Sequence, residues 1–275
     1  MKIVTALRIE LTEGEQARVS ARNIKNIDVH LKAIQANSLW IEGTEKSLIR
    51  FGQLAQEIVD AEPESPVGYR MMAWYHRGLG DRGIARQEHY KKAFEFAQKA
   101  LSKDETDAFS HSVLGYIYLN MREFEKAIAS GKRSIELQPN GALVHTIFGS
   151  TLCYAEQYDE GITYLKQGLR LNPFPSYYDY FHLGRCYYMK GQYEDALIEA
   201  KKALQRAPDA GIVHFSLALI YGVLNREEEA RASASKALEI LPFISVTMVK
   251  NYWRYKTQDG MEVSLDAMRK AGFPE

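Results

Sequence analysis

The sequence predicts an all-α protein, a right-handed α-solenoid of about six helix pairs with extra helices at both ends. Three observations predict it. A pattern of small, apolar and aromatic residues over residues 108–139 recurs three more times in register. Each copy closes on a proline, and Pro139, Pro173, Pro208 and Pro242 lie 34, 35 and 34 residues apart. Within each copy the apolar positions follow helical spacing. Self-similarity at this period marks helix pairs that bury their faces only against neighbouring copies.

The template is AFSHSVLGYIYLNMREFEKAIASGKRSIELQP. With Ala108 as position 1, Leu114, Gly115 and Tyr118 stand at 7, 8 and 11, Ala127 at 20 and Pro139 at 32. Gly115 and Ala127 let helix A and helix B approach closely, Leu114 and Tyr118 fill the space between them, and Pro139 stops helix B. Leu114-Gly115 becomes Phe148-Gly149, Leu183-Gly184 and Leu217-Ala218, while Ala127 becomes Gly161, Ala196 and Ala230. This pattern resembles the tetratricopeptide repeat. It departs modestly, with His111 where that family favours Trp, Gly131 for a large aromatic residue and Ser134 for Ala.

In chain order, residues 1–26 read as N-terminal helices ending a preceding region, with Ile3, Leu7 and Leu11 on one stripe and Thr12 and Glu15 as a capping-box pair. The array spans 27–242, in repeats of about 27–63, 66–105, 108–139, 142–173, 177–208 and 211–242. The first is degenerate, as a terminal copy with one neighbour is expected to be. In the second, about eight extra residues around GLGDRGIA predict a long connection between its helices. Residues 243–275 form C-terminal capping helices, the first carrying Val246, Val249 and Trp253.

Composition excludes several classes. Lys+Arg and Asp+Glu balance at 35 each, so no net charge argues for nucleic acid or an anionic membrane surface. No apolar run approaches the ~20 residues that span a bilayer, and the opening residues are too poor in apolar length for a signal peptide. The two cysteines, Cys153 and Cys186, stand singly on helices as buried or groove-lining thiols, which points to a reducing, cytoplasmic compartment.

Candidate chemical motifs fare poorly. Gly78-Leu79-Gly80-Asp81-Arg82-Gly83 matches a dinucleotide fingerprint on paper, but a helix precedes it where a strand is needed, so it reads as a flexible loop between helices. His111, His145 and His214 share repeat position 4, yet neighbouring helix axes lie roughly 10 Å apart, too far for one metal, so they read as packing residues. Glu227, Glu228 and Glu229 cap a helix start. The expectation is a protein with no catalytic residues, no metal and no cofactor.

The segments KIVTALRIELTEGEQARV, KNIDVHLKAIQA, LNPFPS and LDAMRKAGFPE resemble the tetratricopeptide module that follows the catalytic region in bacterial class III adenylate/guanylate cyclase-like proteins. That resemblance implies the C-terminal module of a larger signalling protein, with Met1 an artefact of its start. The repeat resemblance implies a concave groove lined by positions 2, 5, 9, 12 and 13 of each helix A. Carried over, these give Arg70, Trp74 and Arg77, then Phe109, Tyr116 and Asn120, then Tyr154. The fifth repeat adds Tyr178, Phe181, Arg185 and Tyr188, and the sixth adds Phe215, Leu219 and Gly222. Of the Lys/Asn clamp that some relatives use for a chaperone's C-terminal carboxylate, only Asn120 is present, which argues against a co-chaperone. An apolar, aromatic groove should not stay wet. It implies either a peptide or helix from a partner protein, including the chain's own upstream domains, or a structural module whose groove is filled by its own chain or a second copy.

Overall fold

The capping and stop signals of the sequence translate into fourteen helices in this computed structural model, which describes residues 26–252 and 256–275, with no strand among them. The first pair is α1 (Ile27–Glu42) and α2 (Glu45–Ala61). Asn26 caps α1 by accepting from the Asp28 amide, Gly43 ends it in the left-handed region, and Thr44 accepts from the Ser47 amide to start α2. The second pair is α3 (Pro66–Asp81) and α4 (Arg86–Lys103), α3 starting with Ser65 as cap and Pro66 in its first turn. Then come α5 (Ala108–Asn120) with α6 (Phe124–Leu137), and α7 (Ala142–Tyr154) with α8 (Tyr158–Leu171). The last two pairs are α9 (Tyr177–Lys190) with α10 (Tyr193–Arg206), and α11 (Gly211–Val223) with α12 (Glu227–Ile240). Two further helices, α13 (Val246–Tyr252) and α14 (Gln258–Ala271), follow. The Ile3–Leu7–Leu11 stripe, the Thr12–Glu15 pair, the KIVTALRIELTEGEQARV junction and Trp253 lie outside the described residues.

The chain divides into two compact units, Met1–His145 and Thr146–Glu275. In the first, Phe51, Leu54, Ile58, Val67, Met71 and Met72 form one core, and Ala73, Ala93, Ala97, Val113, Leu114 and Ile117 form another. In the second, the sixth helix pair and α13–α14 share a core of Leu217, Ala218, Ile220, Ala230, Ala234, Leu265 and Met268. The close A–B approach has the predicted cause. A Cβ on Gly115 would stand 3.1 Å from the Ala127 carbonyl oxygen, and one on Gly184 would stand 3.2 Å from that of Ala196.

Two expectations are corrected. The second repeat has no long connection: its extra residues lengthen the helices, to 16 residues in α3 and 18 in α4, against 13 or 14 in α5 through α12. Gly78 and Gly80 therefore sit inside a helix and not in a flexible loop. Large rings leave room only for glycine there, because a Cβ would stand 3.0 Å from Trp40 at Gly78 and 2.9 Å from Tyr90 at Gly80. Only residues 82–85 turn the chain, with Gly83 at φ 78° and Ala85 at φ 36°. In the next four pairs the A–B turn places one residue in the left-handed region, successively Arg122, Glu156, Gly191 and Asn225.

Candidate functional site: the helix A faces

The first unit's face is built by α3 and α5. Arg70 Nη1 lies 2.7 Å from Asp107 Oδ1, and its guanidinium stands 5.3 Å from the Phe109 ring centroid. Asp107 is also the N-cap of α5, accepting from the Ser110 amide, so one carboxylate ends a helix and ties it to the previous repeat. Arg77 is only 5% exposed. Its guanidinium is caged by Trp74, Tyr116 and Trp40 at 4.1, 4.7 and 5.0 Å, and it pairs with Asp81 at 2.8 Å. The Tyr90 hydroxyl donates to the other Asp81 oxygen at 2.7 Å. Asn120 spends its amide on the Tyr116 carbonyl, 3.0 Å away. Arg70 and Arg77 thus already hold carboxylates of their own chain. Trp74, Phe109 and Asn120 stay partly exposed, while Tyr116 is buried beneath them.

In the second unit, Arg185 lies over Tyr154 at 5.1 Å and over Phe181 at 5.8 Å. Tyr178 packs edge-on against His182, with centroids 4.2 Å apart. Asp179, in the first turn of α9, accepts from the Ser176 amide and from Thr146 Oγ1, a small-scale repeat of the Asp107 arrangement. Tyr178 and Arg185 are partly exposed; Tyr154 and Phe181 are buried. Tyr188, Phe215 and Leu219 are buried too, the first two against the C-terminal segment. The Tyr188 hydroxyl is 3.1 Å from Ser264 Oγ, and the Phe215 ring meets Phe273 at 5.3 Å in a T-shaped contact. Gly222 faces Ala267 so closely that a Cβ there would stand 2.8 Å from its carbonyl oxygen.

The cysteine reading is overturned. Cys153 of α7 and Cys186 of α9 form a disulfide, with Cα atoms 5.5 Å apart, and no free cysteine remains. Helix axes near 10 Å apart still allow Cβ atoms on facing sides to approach bonding range. Their separation of 33 residues is one short of the common repeat spacing, which was the available signal. Gly161 occupies the small-residue position beside the bond because a Cβ there would meet Cys153 Sγ at 2.5 Å. Without buried thiols, the case for a reducing compartment loses its premise.

Each position-4 histidine bonds a backbone carbonyl just before its own helix A: His111 Nε2 that of Glu105 at 2.9 Å, His145 Nδ1 that of Gly141 at 2.8 Å and His214 Nε2 that of Pro208 at 2.7 Å. Burial lowers the pKa of His145. A separate pair has no signal in the sequence: His76 and His89 approach Nδ1 to Nδ1 at 2.9 Å, and His76 stacks on Phe96. Burial, then His89, push His76 down to about 4. Among the described residues no three His, Cys, Asp or Glu side chains converge as a metal site, and no helix is long and apolar enough to cross a membrane.

Comparison with known proteins agrees on the fold. The family described as anaphase-promoting complex, cyclosome, subunit 3 matches residues 86–168, and a tetratricopeptide repeat family matches residues 148–211. No curated protein matches the chain. Among solved structures the chain is similar to the APC/C hetero-tetramer Cut9-Hcn1, at 13% identity, covering 94% of this chain and 49% of that one, with a TM-score of 0.66. It is similar to TTC0263, a thermophilic TPR protein of Thermus thermophilus, at 21% identity over 72% of this chain and 99% of that one, TM-score 0.53. PilW, a type IV pilus biogenesis factor, gives 19% identity over 72% and 88%, again with a TM-score of 0.53. At such identities the likeness is one of fold. The fold is a tetratricopeptide-repeat solenoid.

Proposed function

We propose that this tetratricopeptide-repeat chain is a non-catalytic interaction module that binds a peptide or helical segment of a partner protein on its helix A faces. One observation carries the reading: partly exposed aromatic residues at helix A positions stand beside guanidinium groups stacked on rings. In the first unit these are Phe109 under Arg70 and Trp74 under Arg77, and in the second Tyr178, whose ring neighbours Phe181 under Arg185. Rings of this kind give large contact area for few rotatable bonds, which is why aromatic residues and Arg dominate binding hot spots. An Arg laid flat on a ring keeps its in-plane N–H donors pointed outward for carbonyl or carboxylate groups. In this reading Arg185 meets polar or acidic groups of the ligand. Arg70 and Arg77, paired with Asp107 and Asp81, stiffen the face beneath the aromatic contacts.

The resemblance to cyclase-like proteins supports placing the module in a larger signalling protein, where it reads a partner segment or the chain's own upstream domains. Peptide-display selection against the immobilised chain tests the binding claim. We expect convergent sequences whose binding falls at least tenfold with Phe109→Ala or with Tyr178→Ala while helicity is unchanged. Convergent peptides indifferent to both substitutions, or no convergence at all, would count against it.

A further inference from the structure

The C-terminal helix lies on the same kind of surface that the proposed function assigns to partners. α14 runs antiparallel to α11: Ala267 faces Gly222, and six residues further on Phe273 faces Phe215, seven residues earlier in the chain. Its side toward the array is Ser264, Leu265, Ala267, Met268 and Ala271, all buried. Its other side carries Asp266 paired with Lys270 at 3.0 Å and Arg269 paired with Glu275 at 3.1 Å. It is therefore an amphipathic helix seated in a groove. Small residues make the close crossing at Gly222, while Leu265, Met268 and Phe273 supply the large apolar anchors. The end of the segment is pinned where the Val246 amide donates to the Pro274 carbonyl at 2.8 Å.

We propose that residues 258–274 are a resident, displaceable ligand of the surface that α11 makes with the edge of α12 and with Tyr188 of α9, and that this surface accepts an amphipathic helix of the same chemistry from a partner. The inference rests on the proposed function. The incoming helix carries a small residue at the Gly222 crossing, a hydroxyl within reach of Tyr188 and an aromatic ring against Phe215. Because the resident helix is tethered, its effective concentration is in the millimolar range for a short linker. An outside helix binds only when its affinity or concentration overcomes that. The contact then acts as a threshold on partner binding, and any change that frees α14 lowers the threshold.

The test uses the full chain. Leu265→Asp with Met268→Asp strips the anchors from α14 and leaves the array's face untouched. The probe is a fluorescent synthetic peptide of residues 256–275, followed by anisotropy. We expect the doubly substituted chain to bind it at least tenfold more tightly than the native chain, and adding Gly222→Leu to abolish binding, since the new side chain meets Ala267 first. A folded double variant that ignores the peptide overturns the proposal. If the double variant loses helix well beyond α14, hydrogen exchange on the native chain decides. Amides of α14 exchanging well before those of α11 and α12 support a displaceable helix; equal protection makes it core and overturns the proposal. A native dimer that the double variant converts to monomer also overturns it, because the occupant is then a second copy. Display-selected peptides lost with Tyr178→Ala but unchanged by freeing α14 would sink this inference and leave the proposed function standing.

Discussion

Breaking the Cys153–Cys186 bond is the perturbation whose size the structure lets us work out. The bond closes a loop of 33 residues from α7 through α8 to α9, and its chief effect is to restrict the unfolded chain. Loop-closure entropy for a loop of that length amounts to roughly 3.5–4 kcal/mol at 25 °C. Both cysteines are buried, at 2% and 1% exposure, so reduction changes little on the surface and leaves the thiols packed beside Gly161. For a chain of this size, each 1 kcal/mol moves Tm by about 2–4 °C, so reduction should lower it by roughly 10 °C. The assay is calorimetry on oxidised protein and on protein reduced while unfolded, then refolded with reductant present. Thiol titration of the denatured oxidised sample should find none. Two titratable thiols in that sample, or equal Tm values after verified reduction, would refute the cross-link and the loop argument.

Three other outcomes follow from the packing and the electrostatics. Gly184→Leu forces a side chain against the Ala196 carbonyl, and overpacking of this kind costs about 1–3 kcal/mol, read as a lower urea midpoint; an unchanged midpoint would mean the A–B contact yields freely. Glu156→Gly should raise stability by about 0.5–1 kcal/mol, since φ 66° there is costly for a residue with a Cβ. A loss of stability would show that Glu156 makes contacts that outweigh its strain. His76, held neutral with His89, Glu88 and Lys92 around it, has a folded pKa of about 4 against 6.5. The unfolded chain therefore binds the proton first, so this contribution is intact above pH 6.5, is lost as pH falls toward 4 and levels off below that. His76→Phe should flatten that part of the stability–pH curve; an identical slope in the variant would assign the acid sensitivity elsewhere.

Much of the array is legible because its constraints are local. Pro139 and Pro173 announce the ends of α6 and α8, and Gly115 opposite Ala127 announces the A–B crossing, since chain stops and close packing restrict residue type at fixed spacing. What resisted reading was set by partners distant in sequence. Gly78 and Gly80 look like loop residues until Trp40 and Tyr90 fill the space beside them. Cys153 and Cys186 look like isolated thiols until one sees that they face each other between consecutive A helices. Arg70 and Arg77 read as ligand contacts because a sequence does not display Asp107 and Asp81 at 2.7 and 2.8 Å. The burial of Tyr188 and Phe215 is of the same kind. The spacing of Ser264, Ala267 and Ala271 in α14 held the hint, but only Gly222 gives it meaning.

The account turns on which face meets a partner, and hydrogen–deuterium exchange with a display-selected peptide measures that most directly. We predict new protection in the A helices, in α3 and α5 or in α9, with α6, α8 and α10 unchanged. Protection confined to the B helices, with the A helices exchanging as before, would contradict the claim that the helix A faces are the binding surface.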